Sequence, residues 1–301
     1  MTRIDCKTMI VAGALLAAAC KAPPMSAAHA AVGGGDYELL SGGIERSYRV
    51  HVPASYDGSK PVPLVISLHG GWGNGANQEE ISGFSQLAER HGFIVAYPDG
   101  VSRAWNAGSC CGPPQERGID DVGFVRDLIA QLRKQYRIDE HRIYGNGFSN
   151  GGMLIHRIVC EAPGVFAAVA ANASAPMTQR CEPAKGVPFL IIQGRDDERM
   201  PWGGGVVNGT QRMAVSDQVQ RLARINRCSG GEERVIQQAG PAVCRSVAGC
   251  GDNEVSYCGV EGVGHQWIGG KTVFPRLLGK NTTAFSASET MWAFYARHPE
   301  K

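Results

Sequence analysis

The stretch Gly145-Asn146-Gly147-Phe148-Ser149-Asn150-Gly151-Gly152-Met153 (145–153) sets four glycines around one serine, directly after the apolar-aromatic pair Ile143-Tyr144. Three readings compete for it: a phosphate cradle, a flexible linker, or a tight turn that presents Ser149 as a nucleophile. A dinucleotide fingerprint G-x-G-x-x-G beginning at Gly145 requires glycine at position 150, where asparagine stands, and a Walker-type loop requires a Lys-Ser or Lys-Thr pair that is absent. Gly147-Phe148-Ser149-Asn150-Gly151 does satisfy G-x-S-x-G. Between a strand and a helix that motif forms a nucleophile elbow, and the flanking glycines give the turn its room. An incidental serine in a glycine-rich turn is the plain alternative, so the surroundings must decide.

Those surroundings alternate between apolar strand-like runs and segments of helical period. Strands are expected at 63–69, 93–97, around Arg142-Ile143-Tyr144-Gly145, and at 166–171, 188–194 and 254–258. Helices are expected near 77–91, 121–136, from about 150, near 213–227 and near 286–297. In the 121–136 segment Val122, Val125, Leu128, Ile129 and Leu132 recur at three- and four-residue spacing, with Asp120 or Asp121 as the N-cap. Continuous apolar strands separated by helices predict an α/β fold with a mostly parallel central sheet covered on both faces. In such sheets functional residues gather in loops at the carboxyl ends of the strands.

Composition narrows the function classes. The chain has 301 residues, 43% of them hydrophobic, and a formal charge of +2. Arg3, Lys7 and Lys21 against Asp5 account for that excess, leaving a near-neutral remainder with no nucleic-acid signature. Basic residues at 3 and 7, an apolar run over 8–20 and the small-x-small Ala28-His29-Ala30 read as a secretory signal over 1–30, preceding a single catalytic domain over 31–301. The apolar run is too short for a stable membrane span, and lipoprotein processing at Cys20 is the competing reading. Export to the periplasm or beyond favours disulfides among the eight cysteines after Ala30: Cys110, Cys111, Cys160, Cys181, Cys228, Cys244, Cys250 and Cys258. Zinc is the rival, yet no C-x-x-C pair occurs and no histidine lies at ligand spacing, so no metal is expected.

An α/β-hydrolase orders its triad serine, acid, histidine along the chain. His265, in the glycine-flanked loop 262–270, and His298, at a helix end near the C-terminus, follow the candidate acids, and the loop position favours His265. Asp196 and Asp197 stand just past the strand expected at 188–194, and either carboxylate could orient the imidazole. For an oxyanion hole, Asn150 supplies one backbone N–H, and Gly71 or Trp72, in the loop after the strand at 63–69, supplies the second.

Together these residues resemble the secreted esterase family that includes polyhydroxybutyrate depolymerases and feruloyl esterases. The likeness runs from about 44 to 295 and is carried by LHGGWGNGANQ, YPDG, WNAGSCCG, DDVGFVRDLI, GFSNGGM, FAAVAA, GRDDERMPWGGG and GVGHQWIGG. It implies an α/β-hydrolase fold, a serine esterase activity on small or oligomeric esters and no cofactor, with Ser149 as nucleophile and His265 as base. The family's aspartate precedes a Pro-aromatic-Gly-Gly stretch by four residues, which selects Asp197 before Pro201-Trp202. Gln193 replaces a histidine common in the family, and Arg195, Asp196 and Ile268 also depart from its pattern. Trp105 and Trp267 fall in loops expected beside the site, where they would stack on an aromatic or polymeric acyl group or serve as packing. The resemblance also implies oxidised cysteines: Cys160 with Cys181, two pairs within Cys228, Cys244, Cys250 and Cys258, and a vicinal Cys110–Cys111 bridge at the pocket rim. A peptidase or amidase of the same fold, and an inactive hydrolase-like binding module, are the alternatives.

Overall fold

The computed structural model describes residues 34–300; the expected signal segment and Cys20 lie outside them. The chain opens with β1 (Gly35–Ser41) and β2 (Ile44–His51), an antiparallel hairpin closed by Gly42 and Gly43, both at positive φ as a two-residue hairpin turn requires. Then come β3 (Val62–Leu68), α1 (Gly75–Ser82), α2 (Phe84–His91), β4 (Ile94–Pro98), α3 (Gly112–Glu116), α4 (Asp121–Gln135), β5 (Ile138–Phe148), α5 (Asn150–Glu161), β6 (Ala168–Asn172) and β7 (Phe189–Gly194). A small hairpin of β8 (Gly205–Val207) and β9 (Thr210–Arg212) precedes α6 (Val215–Ile225), β10 (Glu233–Ala239), β11 (Ala242–Val247), β12 (Val255–Val260), α7 (Pro275–Leu278) and α8 (Ala287–Ala296).

Ten strands form one sheet in the order β1-β2-β4-β3-β5-β6-β7-β12-β11-β10. The run from β4 through β12 is parallel, and an antiparallel pair extends it at each edge. Side chains alternate across the sheet as a strand dictates. Leu64 and Ile66 of β3 face a core built with Val125, Leu128 and Leu132 of α4, Leu154 and Ile158 of α5, and Leu222 of α6. Val65 faces the opposite core, with Phe84 and Leu87 of α2 and Met291, Phe294 and Tyr295 of α8. Helices thus cover both faces, and the fold is that of the α/β-hydrolases.

Local departures have physical reasons. The helix expected near 77–91 is two helices, because Gly83 adopts φ 64° and ends α1 while opening α2. At α4 the cap is Asp120, whose carboxylate accepts from the Gly123 N–H. Asp121 turns inward to pair with Arg46 at 2.8 Å, both side chains buried. All eight cysteines after Ala30 are paired: Cys110–Cys111, Cys160–Cys181, Cys228–Cys250 and Cys244–Cys258, the last directly across the β11–β12 ladder.

Candidate active site

β5 ends at Phe148 and α5 begins at Asn150, so Ser149 alone turns the chain, with φ 51° and ψ −114°. This conformation is costly for a residue with a side chain and lifts Ser149 off the strand end. The turn closes only because its neighbours are glycines. A Cβ on Gly147 would lie 2.3 Å from the Gly151 carbonyl carbon, and one on Gly151 would lie 2.4 Å from the Leu68 carbonyl oxygen. The Ser149 N–H donates to the Asn172 carbonyl and its own carbonyl accepts from the Met153 N–H, which fixes the elbow at both ends.

Two loops deliver the partners. His265, 5% exposed, follows β12 and packs its ring on Phe148. Its Nε2 lies 2.8 Å from Ser149 Oγ and its Nδ1 lies 2.8 Å from Asp197 Oδ2. A carboxylate can only accept, so Nδ1 carries the hydrogen and Nε2 is left to accept from the serine hydroxyl. Asp197, 2% exposed, sits just past β7 with both oxygens engaged. Its Oδ1 accepts from the Arg199 and Met200 N–H groups, and its Oδ2 from His265 and from Gln193 Nε2 at 3.0 Å. Gln193 also donates to the Met200 carbonyl, so the residue that departs from the family pattern ties the aspartate to its own loop. Asp196 is exposed. His298 lies elsewhere, paired with Glu254 at 2.8 Å.

On the other side of Ser149 runs the loop after β3. A Cβ on Gly70 would come within 3.4 Å of Ser149 Cβ, and one on Gly71 within 3.9 Å of Asn150 Cβ. The Gly71 N–H makes no hydrogen bond among the described residues, and the Asn150 N–H opens α5 without an intrahelical acceptor. Both are therefore available to an anionic oxygen beside Ser149. Trp72 is a correction to the sequence reading, because its N–H already donates to the Arg103 carbonyl at 2.8 Å.

Sequence reasoning missed His69, which holds this loop. Its Nε2 accepts from the Gly100 N–H at 2.9 Å, so the hydrogen resides on Nδ1, which donates to the Gly70 carbonyl at 2.7 Å. Burial presses its pKa down to about 4, against smaller opposing effects from the Gly70 hydrogen bond and Asp99, so the ring is neutral. Its place between an apolar strand and two glycines was the available signal. The Asn150 side chain adds a second brace, accepting from the Trp105 N–H and donating to the Trp105 carbonyl.

Trp105 and Trp267 are also corrected: both are fully buried and neither offers a face to a substrate. The Trp105 indole donates to the His69 carbonyl, and the Trp267 indole to Ser288 Oγ. They are the floor under the site. Among the described residues no group of three His, Cys, Asp or Glu side chains is placed to hold a metal ion, and no helix is long and apolar enough to cross a membrane.

The strand-turn-helix serine, with its imidazole and carboxylate in line, defines the class as an α/β-hydrolase. Residues 46–180 match the family model described as Esterase PHB depolymerase, and the resemblance to that esterase family holds. Feruloyl esterase B of Piromyces equi is 30% identical over 241 residues, which cover 75% of this chain and 44% of that protein. Feruloyl esterase C of Emericella nidulans is 27% identical over 185 residues, 58% of this chain and 64% of that protein. This chain thus spans less than two thirds of the length of either relative. Among solved structures, the acetyl xylan esterase from Aspergillus awamori superposes with a TM-score of 0.62 at 13% identity, over 88% of this chain and all of that one, a likeness of fold.

Proposed function

We propose that this chain is a secreted serine carboxylic-ester hydrolase in which Ser149, His265 and Asp197 act as nucleophile, base and orienting acid. The observation that carries the reading is the unbroken relay of two 2.8 Å hydrogen bonds from Ser149 Oγ through His265 to Asp197. His265 Nε2 takes the hydroxyl proton as Ser149 Oγ attacks the ester carbonyl. The oxyanion draws on the N–H groups of Gly71 and Asn150, and the imidazolium is stabilised by Asp197. His265 returns the proton to the departing alcohol. Water, deprotonated by the same nitrogen, then releases the acid and restores the serine.

The family match and the feruloyl esterase relatives support esters of plant polysaccharide, feruloyl or acetyl, or polyhydroxybutyrate-type oligomers, as substrates. The four disulfides support export to an oxidising compartment. Hydrolysis of p-nitrophenyl acetate and butyrate by wild type and by Ser149→Ala tests the reading. Loss of turnover in the variant is the expected result, and equal rates overturn it.

A further inference from the structure

The loop that brings Gly71 to Ser149 reads His69-Gly70-Gly71-Trp72-Gly73, and its large exposed residue is in a left-handed conformation: Trp72 has φ 67°. Glycine adopts that region freely and a bulky residue does so at a cost, so folding alone would favour a further glycine. The indole repays nothing by burial, since Trp72 is 85% exposed. Its backbone is nonetheless held firmly. The Trp72 N–H donates to the Arg103 carbonyl, and Arg103 Nε donates to the Gly73 carbonyl. Just beyond, the Asn74 side chain caps α1 through the Asn77 N–H. The facing residues Ser102 and Arg103 are themselves left-handed, at φ 52° and 61°. Two strained loops are thus tied together to fix the backbone under a bare indole, two residues from the glycine that approaches Ser149 Cβ. Strain that packing does not recover is a mark of function.

We infer that Trp72 is a specificity-determining residue, an aromatic platform for a planar ring carried on the acyl side of the ester. This rests on the esterase reading above. Trp72 follows Gly71, whose N–H would hold the carbonyl oxygen, so the exposed indole branches from the backbone one residue from that oxygen, and it is assigned to the acyl group. A flat aryl or arylvinyl group can stack there; an acetyl group is too small to use the surface. Trp105 and Trp267, buried beneath the site, cannot serve.

The test is the ratio of kcat/KM for methyl cinnamate to that for p-nitrophenyl acetate, in wild type, Trp72→Gly and Trp72→Phe, with thermal melts of each. The ratio should fall about five- to tenfold in Trp72→Gly, the scale of one lost aromatic contact. It should stay within about twofold in Trp72→Phe, which keeps a π face. The melting temperature of Trp72→Gly should rise by about 2 °C as the left-handed strain is relieved. A Trp72→Gly protein that is folded and active with an unchanged ratio overturns the platform and leaves the esterase reading intact. A wild type that hydrolyses neither ester overturns both.

Discussion

Acid should weaken this protein through His69, and the size of the effect follows from the burial of its ring. The native imidazole is buried and neutral, with its pKa pressed from 6.5 down to about 4. The unfolded chain therefore binds a proton below about pH 6.5 that the native state refuses until about pH 4, so stability falls across that window as pH drops. At about pH 5 the difference amounts to about 2 kcal/mol relative to about pH 7.5, at about 1.4 kcal/mol per pKa unit. His156, pressed down to about 3 by burial and by Arg221, adds a similar loss, so the total fall alone identifies neither ring. His69→Gln separates them. Glutamine does not titrate, and its side-chain carbonyl can accept from the Gly100 N–H in place of Nε2. Urea unfolding of wild type and His69→Gln at both pH values should show the variant losing about 2 kcal/mol less on acidification, even where it is less stable at neutral pH. An equal loss in the two proteins would refute the assignment of His69 as a buried neutral strut.

The two aspartates of the doublet should separate sharply. Asp197→Asn, which reverses the preferred imidazole tautomer, should lower kcat on p-nitrophenyl butyrate by roughly 10³- to 10⁴-fold, while Asp196→Asn should stay within about twofold, since Asp196 is exposed and His265 bonds to Asp197. Arg212 tests a cost the fold carries elsewhere. It is 9% exposed, its Nε has no partner, its Nη1 meets only Met177 Sδ at 3.6 Å, and among the described residues it pairs with no carboxylate. Burial of this lone guanidinium is unfavourable, and Arg212→Met should raise unfolding stability by about 1 kcal/mol in urea titration.

What the sequence made legible is what burial writes into residue type. β3, β4, β6 and β7 lie inside the parallel part of the sheet, covered on both faces, and appear as largely apolar runs. β1, β2 and β10 carry no such mark. Six of the seven residues of β10 are exposed, and the strand exists because β11 offers it a ladder rather than because its side chains require burial. Gly83 likewise sits inside a run of good helical period, and only its backbone angle reveals that the run is two helices.

The site divides along the same line. Ser149 was legible because a strained elbow demands glycines at fixed offsets, and demands of backbone space survive as residue identities. The choice between Asp196 and Asp197 did not rest on residue type, since both are aspartates after the same strand. The family spacing to Pro201-Trp202 selects Asp197, and in the fold four donors converge on it, two of them loop N–H groups that any residue could provide. The tryptophans follow the same logic. A buried indole N–H needs an acceptor. His69 and Ser288 supply one to Trp105 and Trp267, so those two form the floor. Trp72 stands in the open on a left-handed backbone. Side chains of one type thus take opposite places according to which neighbours complete their hydrogen bonds, a property of the folded loops that no single position in the sequence carries.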